Sequence, residues 1–327
     1  MKPHSAHQPI GSPFTAESTA DDVVVGRDLT GRTVIVTGGH AGIGLEVTRS
    51  LASAGAAVTV GARDPERARR AVGGIDGVEV AELDLVEPGS VDAFAARWLR
   101  TGRPLHMLIN NAAAPPTAAA RRDRRGYEMQ FATGHLGHFR LTLALREALR
   151  AAGHARVVNV SSGAQRFGEI NWDDPHFQNG YDAGAAYAQT KKANVLFAVE
   201  LDRRWAADGI RGYAVHPGVV AGTTLNSAAG AAALRQMGLI DDAGRPVVDP
   251  RRGKKTPQQG AATVVFAATS ELLEEVGGVY LLDNDVSPIV DDLVEVTSEH
   301  IPAYVTSSSI DPEQARRLWT LSERLNA

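Results

Sequence analysis

The stretch YAQTKKANVLFAVELDRR sets Tyr187 and Lys191 one helical turn apart, on the same face of a helix. A free tyrosine has a pKa of about 10, too high to ionise readily, but a nearby ammonium and a cationic nicotinamide would lower it into a useful range. The tyrosine can then exchange a proton with a substrate oxygen. Upstream, VVNVSS ends in Ser161 and Ser162, and either hydroxyl can hold that same oxygen. Tyrosine and lysine at this spacing recur in unrelated helices, so the pair takes its meaning from its surroundings.

The second cluster is TVIVTGGHAGIGLEV, in which Gly38, His40, Gly42, Ile43 and Gly44 occupy the turn between a strand pattern and a helix pattern. Glycine lets backbone approach a pyrophosphate closely, and the helix start offers unpaired N–H groups and a favourable dipole. A tight strand-to-helix turn is the plainer reading, but the alternating pattern around it favours a dinucleotide. About twenty residues on, an acidic residue would hold the ribose hydroxyls of NAD. Here the sequence reads VTVGARD, and the planar fork of Arg63 suits the extra phosphate of NADP, with His40 assisting. NADP(H) is therefore expected over NAD(H), the alternative being that Arg63 is solvated and Asp64 serves the ribose. Asp84 and Leu85 end a third strand where an adenine edge can be held, and Asn110, Asn111 and Ala112 end a fourth.

These residues need a frame. From Thr33 onward β-branched runs alternate with Ala- and Leu-rich helical patterns, the signature of a parallel sheet covered on both faces. Strands are expected at Thr33–Thr37, Ala57–Gly61, Val78–Glu82, Leu105–Asn110, Ala155–Val160, Gly212–His216 and Gly278–Leu282. Helices are expected near Ile43–Ala54, Pro65–Val72, Ser90–Arg100, Gly126–Ala151, Ala185–Ala207 and Pro257–Thr269, with a last one capped by Asp311. This is one α/β domain over residues 21–327, a doubly wound seven-stranded parallel sheet. Its long irregular connections, 163–184 and 219–255, follow strands and so face the ligand crevice. Residues 1–20 are polar and rich in Pro, Gly and Ser, which predicts a mobile segment.

Composition narrows the partners. The 34 basic and 38 acidic residues give a net charge of -4 with no long basic run, so nucleic acid is not expected. There is no cysteine, which excludes disulfides and thiolate chemistry. No signal-peptide pattern and no apolar run of about 18 residues is present, and the expectation is a cytoplasmic protein that does not enter a membrane. RRDRR, residues 121–125, reads as a solvated loop more than as an anion site, and His135 and His138 as ordinary helix residues with no third metal ligand nearby.

TGGHAGIG, NNA, VNVSS, YAQTK and VHPG occur in the order found in short-chain dehydrogenases/reductases of the classical type. The chain resembles that family, and within it the retinol-dehydrogenase-like branch, from about Asp28 to Asp285. The resemblance implies a Rossmann-like fold and hydride transfer between a ketone or aldehyde and an alcohol. It makes Tyr187 the acid/base, Lys191 the ligand of the nicotinamide ribose that lowers the tyrosine pKa, and Ser162 the residue orienting the carbonyl. Ser162 is preferred to Ser161 because its 25-residue gap to Tyr187 resembles that of the longer-looped branch. Pro217, Gly218 and Val220 would face the nicotinamide, and the family's long helices often build homodimers or homotetramers.

Three positions depart from the family pattern. Gly134 in FATGHLGHF stands where the family carries an asparagine that braces a proton-relay water, Ala113 replaces the glycine after NNA, and VHPGVVAGTTL holds one extra residue. A glycine inside a helix costs about 1 kcal/mol relative to alanine, so something other than helix stability selected Gly134. Its loss of the relay predicts slowed turnover, raised again by Gly134→Asn. A second expectation, also motivated by Gly134, keeps the nucleotide but replaces redox by an acid/base reaction such as dehydration, cyclisation or isomerisation. A nucleotide-sensing protein without catalysis is a third, and it leaves Tyr187 and Lys191 unexplained.

Overall fold

The computed structural model describes residues 7–220, 223, 225, 230–292, 295–297 and 301–327. The β-branched runs form β1 (Thr33–Thr37), β2 (Ala57–Ala62), β3 (Val78–Glu82), β4 (Met107–Asn110), β5 (Ala155–Val160), β6 (Ile210–His216), the two-residue β7 (Val219–Val220) and β8 (Lys254–Lys255), β9 (Val279–Leu282) and β10 (Asp285–Val286). Between them lie α1 (Ala20–Val24), α2 (Gly42–Ser53), α3 (Pro65–Val72), α4 (Pro88–Arg100), α5 (Gly137–Ala144), α6 (Arg146–Ala151), α7 (Ala183–Trp205), α8 (Gly230–Gln236), α9 (Pro257–Thr269) and α10 (Pro312–Asn326). The main sheet runs β10-β9-β6-β5-β4-β1-β2-β3. Its order reverses between β1 and β4, which opens a crevice at the carboxyl ends of those strands.

The sheet is buried on both faces, as parallel sheets are. α1, α2 and α9 cover one face over a core including Val34, Val36, Val58, Val60, Val265 and Phe266. The opposite face carries α4, α5 and α7, and α10 packs on α7. Seven strands were expected and eight pair. The additional β10 returns antiparallel to β9 through Asp283 and Asn284, whose φ values of 52° and 66° suit a two-residue hairpin turn.

Two further expectations are corrected. The helix predicted over Gly126–Ala151 is broken into a helical turn (Met129–Phe131), a wider π turn (Ala132–Leu136), α5 and α6. The predicted mobile start is anchored from His7 onward: the Asp285 carboxylate accepts the N–H groups of Ile10, Gly11 and Ser12 at 2.8, 3.1 and 3.2 Å. The ring of His7 accepts the Tyr280 N–H at 3.2 Å, and Phe14 packs edge-on to Phe266. All these partners lie more than 250 residues away, so composition near the start carries no sign of them. Residues 1–6 lie outside the described residues.

Candidate active site and nucleotide crevice

Asp182 caps α7 by accepting the Ala185 N–H at 2.7 Å, which starts the helix just over one turn before Tyr187. Lys191 follows on the same face, is buried, and donates from Nζ to the Val160 carbonyl at 3.1 Å, with its nitrogen 5.6 Å from the Tyr187 ring centre. The same carbonyl accepts Nδ2 of Asn194 at 3.0 Å, so two side chains of α7 lock onto the end of β5. Ser161 and Ser162 separate cleanly. The Ser161 hydroxyl is buried and donates to the Lys191 carbonyl at 2.7 Å, whereas the Ser162 hydroxyl oxygen accepts the Ala164 N–H at 3.2 Å and lies near enough to the Tyr187 phenol to favour its ionised form.

Burial pushes the Tyr187 phenol above its ordinary pKa, and the Ser162 hydrogen bond pulls the other way. In the chain without its nicotinamide, desolvation of the phenolate outweighs the help of Ser162, and the lowering expected from ammonium and cationic nicotinamide together needs the bound cofactor. Burial also brings Lys191 down to about 8. The Ser162 turn is held from behind by His216, whose Nδ1 accepts the Gly163 N–H at 3.2 Å. This leaves the proton on Nε2, and burial, then the charges of Lys255 and Lys191, lower the imidazole to about 3. VHPG is thus partly a brace for the serine turn, a role sequence reading missed for His216.

Gly134 sits in the middle of the π turn, and a Cβ there would lie 2.7 Å from Cγ2 of Thr190 on α7. Any side chain at this position would press on the Thr190 methyl group. Its carbonyl accepts His138 Nδ1–H at 3.1 Å, so His138 Nε2 is bare and accepts the Thr37 hydroxyl at 2.8 Å. Thr37 Oγ1 in turn accepts the N–H groups of Asn111 at 2.9 Å and Ala112 at 3.0 Å. His138 is thereby an interior strut, as is His135, bonded to Ser322 at 2.8 Å. RRDRR is likewise structural in part: Arg122 donates to the carbonyls of Gly126, His176 and Phe177 at 3.2, 2.8 and 2.8 Å.

At the crevice, Gly38 and Gly42 have φ of 66° and 52°, and a Cβ on Gly44 would fall 2.6 Å from the Gly38 carbonyl oxygen and 2.5 Å from Asn111 Nδ2. α2 starts at Ala41 without a side-chain cap, so its first N–H groups point outward unpaired by any side chain. Nδ1 of His40 is buried and has no hydrogen-bond partner among the described residues. A glycine cradle, an uncapped helix start and an orphaned imidazole nitrogen fit a dinucleotide phosphate group. Ile43, Pro217 and Val220 converge on Gly260, where a Cβ would lie 3.3, 3.2 and 2.8 Å from them, and Gly218 turns with φ 79° against Lys255.

Arg63 is exposed at the end of β2 and makes no ion pair among the described residues. Asp64 uses a carboxylate oxygen to cap α3, accepting the Arg67 N–H at 3.0 Å. Burial lowers the His40 pKa, and the positive charge of Arg67 lowers it further, which puts Arg67 beside the same corner. Sequence reading missed Arg67. Asp84 accepts the Val86 N–H at 3.2 Å in a turn, and Leu85 is buried in the core against Gly137. The extra residue expected before the threonines of VHPGVVAGTTL belongs to a stretch of which 221, 222 and 224 lie outside the described residues.

A doubly wound sheet with this crevice and a Ser-Tyr-Lys set defines a nucleotide-dependent oxidoreductase of the Rossmann kind. The short chain dehydrogenase family model matches residues 32–233, and the chain belongs to the short-chain dehydrogenase/reductase family. It is similar to a "Probable oxidoreductase" of Streptomyces lividans, 43% identical over 89% of this chain and 96% of that protein. Human retinol dehydrogenase 11 is 35% identical over 90% of this chain and 85% of its own length. An uncharacterized protein from Mycobacterium paratuberculosis has a similar structure, with TM-score 0.69, 30% identity, and coverage of 96% and 98% of the two chains. No helix among the described residues is long and apolar enough to cross a membrane.

Proposed function

We propose that the chain is an NADP(H)-dependent oxidoreductase interconverting a ketone or aldehyde with an alcohol. The observation that carries this reading is the division of labour at the end of β5: the Ser161 hydroxyl donates to the Lys191 carbonyl, while Ser162, whose oxygen accepts the Ala164 N–H, stands on the Tyr187 side and favours its ionised phenol, with Lys191 one turn further along. In this reading Ser162 donates to the substrate oxygen, Tyr187 delivers the proton to it on reduction, and Lys191 supplies the positive charge that eases the phenol's loss of a proton. Gly38, Gly42, Ile43, Gly44, Asn111 and Ala112 hold the dinucleotide, together with Asp84 and the backbone at Leu85 near the adenine and Pro217, Gly218 and Val220 at its reactive end. The bound cofactor supplies the hydride. Segment 163–184 and the described part of 219–255 would face the substrate.

His40 and Arg67, which act on one another, and the exposed Arg63 at the end of β2 support NADP over NAD, while Asp64, whose charge also reaches His40, is engaged as a cap. The expected outcome for Arg63→Ala is a loss of NADPH affinity of about tenfold, the scale of one charge-assisted hydrogen bond, with NADH affinity little changed. Equal loss for both would remove the phosphate contact. The reading as a whole is tested by NADPH consumption across a panel of ketones and aldehydes, compared with Tyr187→Phe. The variant should turn over about 100- to 10,000-fold more slowly and still bind NADPH. The non-redox alternative was motivated by Gly134, and the close approach of Thr190 now gives that glycine a packing reason.

A further inference from the structure

Lys192 follows Lys191 on α7, so its side chain leaves the helix about 100° away from the catalytic face. It is fully buried, yet sequence and family assign it nothing. Its ammonium lies 2.6 Å from Oε1 of Glu169 in the 163–184 connection and donates to the Ser308 hydroxyl at 2.9 Å in the tail. Three separate pieces of chain therefore meet at one nitrogen. An ammonium stays out of water only where its partners are held in place, so its burial and the position of both segments depend on each other.

What those segments cover is the turn carrying Ser162. Gln165 and Arg166, just past that serine, donate to the Tyr304 carbonyl at 2.9 Å each, and Arg166 also reaches the Asp292 carbonyl at 2.7 Å. The buried Tyr280 hydroxyl donates to the Ala303 carbonyl at 3.0 Å. Gly163 lies so close beneath the tail that a Cβ would sit 2.8 Å from the Pro302 carbonyl oxygen. The tail is thus a wall over the oxygen-binding end of the site, and Lys192 joins that wall to the helix bearing Tyr187.

We propose that Lys192 is a positioning residue that latches residues 302–309 of the tail and Glu169 of the first long connection to α7, fixing the wall against which a bulky carbonyl substrate must fit. The inference rests on the proposed function for the identity of the substrate, but the latch itself does not. Lys192→Met in the full-length chain keeps length and volume and removes the charge; Lys192 is buried while Glu169 remains mostly exposed, so the carboxylate left behind is solvated. Amide hydrogen exchange over residues 163–169 and 302–309 should quicken about tenfold, the scale of losing hydrogen bonds to a charged group, while β1 to β5 stay unchanged. KM for a bulky aromatic ketone should rise about tenfold as well, with NADPH affinity and kcat on a small aldehyde within about twofold.

Unchanged exchange in both segments overturns the latch, and loosened segments with an unaltered KM profile overturn its role in fitting substrate. If Lys192→Met does not fold, Glu169→Gln and Ser308→Ala each remove part of the contact, and exchange in the two segments should still quicken by about threefold, a fraction of the full effect. Wild-type protein that consumes no NADPH with any carbonyl would sink the proposed function, and the exchange result would still decide whether Lys192 holds the two segments.

Discussion

The proposed nucleotide corner and the proposed substrate wall are built in opposite ways. The corner is made from short consecutive stretches: residues 38–44 supply the glycine cradle and the helix start, and Asn111 and Ala112 close it with hydrogen bonds to Thr37. The wall joins residues 163–169, 280–292 and 302–309, pieces with no local pattern in common, through Arg166, Tyr280 and Lys192. A ligand whose phosphates are read by backbone can be met by a turn of fixed form, whereas a substrate's outline is met by whichever distant side chains the fold delivers. The difference explains why the family resemblance is strong for the first region and silent on the second.

Matched glycine substitutions probe the contrast most sharply. In Gly44→Ala the new methyl meets rigid backbone at Gly38, and overpacking of this kind costs about 1–3 kcal/mol, so NADPH affinity should fall roughly ten- to a hundredfold. In Gly163→Ala the methyl meets the tail at Pro302, and KM for the carbonyl should rise while NADPH affinity holds. Isothermal titration and steady-state kinetics separate the two effects; if Gly163→Ala weakened the nucleotide as much as Gly44→Ala did, the division into two regions would be artificial.

Next in size is the helix contact beneath both regions. Gly134→Asn alone must push against Thr190, costing about 1–3 kcal/mol, and on a chain of this size each kcal/mol lowers Tm by roughly 2–4 °C. Thr190→Ser removes the opposing methyl, so the double variant should recover most of that loss. Any gain in turnover from a restored asparagine belongs to the double variant. A single Gly134→Asn as stable as wild type by calorimetry would refute the packing account of the glycine.

The smallest effect is on pH. Lys191 titrates at about 8 in the folded chain against an ordinary 10.5, so its charge is half gone at pH 8 and reductive activity should be about half its plateau there. The unfolded chain binds the extra proton between those values, so this group's contribution to stability increases as pH rises from about 8 to 10.5. Activity should therefore decline across a range where melting temperature gains from Lys191. Lys191→Arg, permanently charged, should erase the alkaline limb in a pH-rate profile, and a limb that persisted unchanged would belong to another group.

Local chemistry in the sequence was sufficient for the strands β1, β3 and β5, whose bounds match the expected ones, and for α3, α9 and the Asp311 cap of α10. It also gave the glycine turn and the Tyr187–Lys191 face, because periodicity and capping act within a few residues. It did not give the π turn at Gly134, the anchored start at Asp285, the Arg67 corner or the Lys192 latch. Each of these exists only because two segments far apart in the chain approach within hydrogen-bond or van der Waals distance: Thr190 against Gly134, Asp285 against residues 10–12, Ser308 and Glu169 against Lys192. Sequence determined the class of chemistry, since that depends on residue types held by local backbone, and tertiary structure decided which serine stands on the Tyr187 side, what a side chain at position 134 would meet and which segments lie over the serine turn, since those are questions of proximity between elements.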